Sequence, residues 1–208
     1  MSNRDYKKFN IGSIAHIYNR GNNKEKIFFD DQDYRAFLFR LALVLGFDQK
    51  ELQNENLLSM PYSRIRIEFK GKNKFKIHAF CLMPNHFHLL IEQVGDTSIS
   101  KLISKVCSSY SKYINKKYKR VGHTFQDCFK AVIIENNPQL MWVSSYIHMN
   151  AVKDGLVKHP SEYLWSSYND YTSLRNLPLV TKELLIETFG DEKNFIEQTL
   201  NFSVKVSL

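Results

Sequence analysis

The stretch FCLMPNHFHLLIEQ, residues 80–93, constrains the fold more than any other part of this sequence. Apolar residues fill both sides of Pro84-Asn85, which favours a tight turn, so the pattern predicts two neighbouring antiparallel strands. Residues two apart in a strand point to the same face. His86 and His88 should therefore project together, and Phe87 should enter the core. Two neutral imidazoles on one face can bind one metal ion, although two partly exposed sheet residues would give the same pattern.

The remaining periodicity predicts alternating strands and helices. Apolar residues recur at strand or helix spacing in a definite order, and Asp30 and Asn137 are suitable N-caps for two of the helices. The predicted strands are 13–21, the two arms of a hairpin within 63–83, 86–93 and 122–135; the predicted helices are 30–47, 97–120 and 138–151. The order strand, helix, two strands, helix, strand predicts an α+β fold: a ferredoxin-like split βαβ unit, whose antiparallel sheet carries helices on one face. The helix 138–151 is additional to that unit.

Composition shifts along the chain predict its domain organisation. The polar, irregular stretch 46–63 reads as an insertion between the first helix and the hairpin. After about Pro178 the pattern changes to one or two short helices. We therefore expect one catalytic domain over residues 1–177 and a helical C-terminal extension over residues 178–208.

The net charge of +8 is concentrated in one region. Between Lys101 and Lys130, basic residues alternate with aromatic ones and the only acid is Asp127. Such a region indicates an anionic partner, and its one-sidedness favours nucleic acid over a membrane surface. A solvated helix end with no partner remains the alternative for any single lysine. The candidate DNA-binding residues are Arg20, Lys116, Lys117, Lys119, Arg120 and Lys130.

Cysteine usage and hydropathy bear on the compartment. Cys81, Cys107 and Cys128 form no CxxC pair, which argues against a zinc ribbon or a disulfide framework. The first residues contain no apolar stretch of signal length, and no run is long enough to span a bilayer. These features predict a cytoplasmic protein that does not interact with membranes.

The helix 138–151 carries a second set of polar groups. Tyr146 and Asn150 lie four residues apart, so they occupy one face of the helix about one turn from each other. A phenol and an amide placed side by side could serve one site with the histidine pair. A tyrosine at the edge of the core would produce the same spacing.

Four blocks in order give a more specific signal than the histidine pair alone. They are IYNRGN, LMPNHFHLLIE, TFQDCFKAVII and YIHMNAVKDGLVKHPSEYLWSSY, and the similarity that they carry runs from about residue 13 to about residue 170. The chain resembles the single-tyrosine HUH transposases (His, hydrophobic, His), specifically the REP-associated tyrosine transposase type. It departs from many relatives at Cys128, where they carry Arg, and at Ala151, where they often have Pro.

The resemblance implies a DNA transposase. Tyr146 would be the nucleophile, and His86, His88 and Asn150 would hold a divalent metal, Mg²⁺ or Mn²⁺. The substrate would be single-stranded DNA with a hairpin, cleaved and rejoined through a 5′-phosphotyrosine intermediate by a monomer or a homodimer. Two alternatives stay open: a catalytically inactive module of the same fold that binds hairpin DNA or RNA, and a zinc hydrolase that uses the histidine pair.

Overall fold

The computed structural model describes residues 9–52, 57–58, 69 and 71–202. The described residues form four strands, six α-helices and three short 3₁₀ turns. The strands are β1 Ile14–Arg20, β2 Phe75–Met83, β3 His86–Gln93 and β4 Lys130–Ile133. The helices are α1 Asp31–Leu45, α2 Gln49–Leu52, α3 Ile99–Lys117, α4 Asn137–Lys153, α5 Glu183–Phe189 and α6 Glu192–Leu200; the 3₁₀ turns are Asn22–Lys24, Pro160–Glu162 and Ser167–Asp170.

The four strands form one antiparallel sheet in the order β2-β3-β1-β4. With α1 between β1 and β2, and α3 between β3 and β4, this is the predicted ferredoxin-like split βαβ arrangement. The predicted fold class is therefore confirmed. The register places Tyr18 opposite His88, and both Arg20 and Met83 opposite His86.

The two faces of the sheet have different coverings. Phe87 is fully buried and its ring lies 5.0 Å from that of Phe37 in α1, which in turn lies 5.2 Å from Tyr110 in α3. The next residue, His88, points the opposite way and meets Tyr146 of α4, with 5.4 Å between ring centroids. Helices α1 and α3 thus cover one face, whereas α4 covers the other and forms the site described below.

Local chemistry explains where the helices begin and end. Asp30 caps α1 as predicted, because its carboxylate accepts a hydrogen bond from the backbone N–H of Asp33 at 3.1 Å. The prediction of Asn137 as the cap of α4 was wrong. Asn136 holds that position, with extended backbone, and accepts from the N–H of Gln139 at 2.9 Å. Either asparagine is a suitable cap by residue type, and the extended backbone of Asn136 makes it the capping residue.

The predicted strand 122–135 is shorter than expected. Only Lys130–Ile133 pairs as β4, whereas the segment before it is a loop held against the end of β1. The N–H of Gln126 donates to the carbonyl of Arg20 at 2.9 Å, and the side chain of Asn19 donates to the carbonyl of Asp127 at 3.1 Å. These bonds place residues 126–128 beside the histidine-bearing end of the sheet.

The C-terminal segment forms the two short helices expected there. Phe195 of α6 is fully buried, and its ring packs 5.4 Å from His148 of α4 and 4.6 Å from Tyr171. Because these helices share buried contacts with α4, they support the helix that carries Tyr146. A domain boundary after residue 177 remains a prediction.

Two predictions fall largely on residues that the structure does not describe. The first arm of the hairpin, residues 63–70, lies almost wholly outside the described residues, and so does much of the insertion 46–63. Its described part includes the short helix α2, and Leu52, Leu57 and Leu58 are buried there. Within the described residues, none of the helices is long and apolar enough to cross a membrane.

Candidate active site

The two histidines of β3 lie on the sheet face covered by α4. Their ring planes are nearly perpendicular, with centroids 5.0 Å apart. His86 follows the Pro84-Asn85 turn directly, and its Nδ1 lies 2.6 Å from the side-chain oxygen of Asn85. Since that oxygen can only accept, Nδ1 of His86 carries the proton and its Nε2 keeps a free lone pair. The geometry thus makes one nitrogen of His86 available to a ligand.

His16 joins this pair, although sequence reasoning did not single it out. Its Nε2 lies 2.9 Å from Nδ1 of His88, and both rings are buried. His16 and Tyr18 lie two residues apart in β1 and therefore share one face of the strand. The proximity of His16 to His88 depends on the β1–β3 register, which a single sequence does not reveal. If His88 donates through Nδ1 to His16, then its Nε2 presents a lone pair to the site.

Burial keeps all three imidazoles neutral near pH 7. Loss of hydration lowers the pKa of His16 to about 4 and that of His86 to about 4, against an ordinary value of 6.5. It lowers the pKa of His88 well below the ordinary value, and the neighbouring His16 and His86 act in the same direction. Neutral imidazole is the form that binds metal ions.

Tyr146 and Asn150 face the histidines from α4. Asn150 is almost fully buried, and its amide N–H donates to the backbone carbonyl of Tyr146 at 2.8 Å, which leaves the amide oxygen to serve the site. Burial raises the pKa of the Tyr146 phenol above 10, and a hydrogen bond with the Asn150 side chain opposes that rise. The phenol is therefore protonated at neutral pH. The structure brings together all four residues that the resemblance assigns to catalysis.

A cavity of about 560 Å³ opens beside these residues. Its walls come from β1, β3, the 126–130 segment and the end of α4, and they carry more positive than negative charge. Lys153, another residue that sequence reasoning did not single out, places its ammonium nitrogen 5.3 Å from the ring centroid of Tyr146. The lining residues are Tyr18, Asn19, Arg20, His86, His88, Gln126, Asp127, Cys128, Lys130, Tyr146, Asn150, Lys153 and Asp154.

The six predicted DNA-binding residues divide into two groups. Arg20 and Lys130 are exposed and line this cavity. The other four lie at and after the C-terminal end of α3 and do not line it. These four residues are Lys116, Lys117, Lys119 and Arg120.

Within this second group, only two cations are exposed. Lys117 bridges Asp30 and the buried Asp33, with its nitrogen 2.8 Å from an oxygen of each. Arg120 pairs with Glu25 at 2.9 Å. Lys116 and Lys119 are exposed. The charge available to a phosphate at this end of α3 is therefore smaller than the sequence suggests.

The donor set fits a divalent metal ion. Nε2 of His88 is buried and has no hydrogen-bond partner, which is costly unless a ligand satisfies it. Nε2 of His86 and the amide oxygen of Asn150 complete a set of two nitrogens and one oxygen. Within the described part of the chain, no three His, Cys, Asp or Glu side chains are arranged to hold a metal. An ion here would consequently need the amide oxygen and further oxygens from water or substrate.

Comparisons with known proteins bear on the fold and on the family of this chain. A search of curated proteins finds no match. A solved structure described as a REP-associated tyrosine transposase bound to a REP hairpin is similar in fold, with a TM-score of 0.57 and 17% sequence identity over 85% of this chain and 90% of that chain. The model of the family "Transposase IS200 like" matches residues 40–150, which is more than half of the chain. The chain therefore belongs to the IS200-like transposase family.

Proposed function

We propose that this transposase is a metal-dependent single-strand DNA endonuclease and strand-transferase that works through a 5′-phosphotyrosine on Tyr146. His86, His88 and Asn150 would hold Mg²⁺ or Mn²⁺, and the substrate would be single-stranded DNA with a hairpin. The proposal rests mainly on one observation: the histidines of β3 and the tyrosine of α4 line the same cavity. The half-buried phenol of α4 lies against the imidazole of His88, whose buried Nε2 has no partner in the protein.

Cleavage would proceed by direct attack of the phenol on a phosphodiester. The Oη of Tyr146 forms a bond to phosphorus, and the bond from phosphorus to the 3′-oxygen of the upstream nucleotide breaks. The phenol loses its proton and the departing 3′-oxygen gains one, so the products are a 5′-phosphotyrosine and a free 3′-hydroxyl. A later attack by another 3′-hydroxyl on the phosphotyrosine would rejoin strands without hydrolysis.

The phenol needs positive charge nearby to react at neutral pH. Because burial raises its pKa, phenolate is scarce unless a cation stabilises it. Lys153 is close enough to contribute, with its nitrogen 5.3 Å from the ring centroid. Arg20 and Lys130 at the cavity wall would neutralise the phosphates on either side of the scissile bond.

A divalent ion bound by the two imidazoles and the amide oxygen would neutralise charge on the scissile phosphate and polarise the departing oxygen. The mixed nitrogen and oxygen donors favour Mn²⁺ at least as well as Mg²⁺, since Mg²⁺ prefers oxygen ligands. Contacts with His88 and Asn150 would also fix the orientation of Tyr146.

The hairpin and the assembly state are further parts of the proposal. The structurally similar transposase is described as bound to a REP hairpin, and two features here suit a comparable substrate. Exposed cations line the cavity, where they suit the phosphates of a single strand. Lys116 and Lys119 offer exposed charge for phosphates of a stem. Because Tyr146 and the histidine pair meet within one chain, we propose that a monomer has a complete active site, whether or not it dimerises.

A covalent-capture experiment tests the proposal. The protein is mixed with Mn²⁺ and a pool of hairpin-bearing single-stranded oligonucleotides with randomised flanks, and adducts are separated on a denaturing gel. We expect an adduct with the wild type that is absent after Tyr146→Phe and without metal. Tyr18→Phe is the matched control, because its phenol lines the same cavity with its ring 5.8 Å from that of His88.

Each other outcome assigns a different function. An adduct that survives Tyr146→Phe but not Tyr18→Phe would identify Tyr18 of β1 as the nucleophile. Hairpin binding without metal and without any adduct would favour the inactive binding module. Strand cleavage that continues in Tyr146→Phe with no covalent intermediate would favour a metal-bound water as the nucleophile, as in a zinc hydrolase.

A further inference from the structure

Trp142 is an exposed aromatic residue directly beside the proposed nucleophile. It lies one helical turn before Tyr146 on α4, and 52% of its surface is accessible. Its ring stacks on that of Tyr146, with centroids 5.4 Å apart and planes 5° from parallel. Phe202 touches it from another direction, edge-on, at 5.5 Å. Burying an indole usually stabilises a protein, so one left half-exposed against the ring of the proposed nucleophile has surface to offer a ligand.

Trp165 shows what a structural tryptophan looks like in the same chain. It is 6% exposed and stacked on Tyr34 at 4.7 Å, within the core. These two residues are the only tryptophans in the sequence. Trp165 therefore has a packing role, whereas Trp142 is half-exposed among the described residues. Because the chain has only these two tryptophans, changes at Trp142 are easy to observe by fluorescence.

The surroundings of Trp142 indicate what occupies that face. The stacked Tyr146 belongs to a cavity whose exposed cations are Arg20, Lys130 and Lys153. A flat aromatic surface next to a cluster of positive charge is the combination that binds single-stranded nucleic acid, with bases on the rings and phosphates on the cations. An apolar protein partner would not require the charge, and a lone phosphate would not require the ring.

We propose that Trp142 is a positioning residue, which stacks on a base next to the scissile phosphate and thereby sets that phosphate against the hydroxyl of Tyr146. This inference rests on the proposed function. The indole stacks in parallel on the phenol and about half of its surface is accessible, so a base stacked on that accessible surface would extend the pair of rings into a column of three. The sugar-phosphate backbone of that nucleotide would then run along the edge of the column, on which the phenol hydroxyl also lies.

Binding of oligothymidylate to a Tyr146→Phe background provides the first test. This background prevents covalent capture and keeps the stacked ring. We expect the tryptophan fluorescence to be quenched on titration, and the quench to vanish in Trp142→Phe, where Trp165 is the only emitter. Affinity measured by anisotropy should fall about 5- to 150-fold in Trp142→Ala, the range for loss of one stacked base. Trp142→Phe should retain most of the affinity.

Controls separate this role from a structural one. Leu174→Ala removes a side chain that is 69% exposed and outside the cavity, and should bind as the parent does. If Trp142 only anchors Phe202, Trp142→Ala should lower the melting temperature while affinity stays at the parent level, and the stacking proposal would be overturned. Tight binding with no quench in the parent would overturn it as well.

Covalent capture then distinguishes failure of this inference from failure of the proposed function. With Tyr146 restored, Trp142→Ala should slow adduct formation on the oligonucleotide pool, and Trp142→Phe should rescue it. If the wild type forms the adduct and Trp142→Ala forms it equally fast, the positioning role fails and the proposed function stands. If the wild type forms no adduct, the proposed function fails whatever the fluorescence shows.

Discussion

The hydrogen bond between His16 and His88 gives the sharpest prediction about the proposed metal site. His16 Nε2 lies 2.9 Å from His88 Nδ1 in a buried setting, so His16 fixes the orientation of that ring. If His16 is the acceptor, it also keeps the proton of His88 on Nδ1 and leaves Nε2 for the metal. Removing such a supporting group typically weakens metal binding 10- to 100-fold. That range corresponds to about 1.4–2.8 kcal/mol, which is comparable with about 1–3 kcal/mol for leaving one buried polar group unpaired.

Two substitutions at this position differ mainly in reach. In His16→Gln the amide oxygen can occupy roughly the place of Nε2 and accept from His88, whereas His16→Asn is about one bond too short. We expect His16→Asn to raise the apparent Kd for Mn²⁺ at least tenfold and His16→Gln to stay within a few-fold of wild type. Free Mn²⁺ can be counted by electron paramagnetic resonance at each total concentration.

Two outcomes would contradict this reasoning. If both variants bound Mn²⁺ as tightly as wild type, His88 would need no support, or would not be a ligand. If both variants lost Mn²⁺ binding equally while their circular dichroism spectra remained native, the length of the side chain at position 16 would not matter. A hydrogen bond accepted from His88 Nδ1 would then not be what supports metal binding. Thermal melts of each variant, measured without metal, would show how much of any effect is simple loss of stability.

Three further predictions address charge and packing. If Lys116 or Lys119 contacts a phosphate, replacing it with Ala should reduce the slope of log K against log salt for single-strand binding by about 0.7. Lys117→Ala should leave that slope unchanged, because the charge of Lys117 is already paired with Asp30 and Asp33. Burial alone would raise the pKa of Asp30, but Lys117 lowers it below 3.8, so this pair adds stability above that pH and loses it as the pH falls through the folded value. Asp30→Asn keeps an N-cap and should flatten the acid limb of a pH–stability curve; an unaltered limb would refute the pairing. Phe87→Ala should cost about 3–5 kcal/mol in urea unfolding, and a cost under 1 kcal/mol would contradict its place in the core.

The parts of this fold that follow from local patterns could be predicted from the sequence. Alternation placed Phe87 in the core and His86 with His88 on the other face, and the carboxylate of Asp30 marked the start of α1. These features depend on side-chain period and on hydrogen bonds within a few residues. Helix spacing likewise placed Tyr146 and Asn150 on one side of α4.

Features that depend on packing between distant segments could not be predicted. His16 approaches His88 only because β1 and β3 pair in one register out of several that alternation allows. Lys117 forms ion pairs with Asp30 and Asp33 because α1 and α3 pack together and bring these carboxylates close to it. The segment 122–129 alternates like a strand but forms a loop, since bonds to Asn19 and Arg20 hold it at the end of β1.

The most direct measurement is to locate the covalent bond to DNA. After reaction with Mn²⁺ and the hairpin pool, trypsin cleavage at Lys130 and Lys153 releases the peptide 131–153, in which Tyr146 is the only tyrosine. Mass spectrometry should find this peptide carrying a nucleotide through a phosphate, and fragmentation should place the added mass on Tyr146. A nucleotide found instead on the peptide that contains Tyr18, or cleaved DNA with no modified peptide, would contradict the assignment of Tyr146 as the nucleophile.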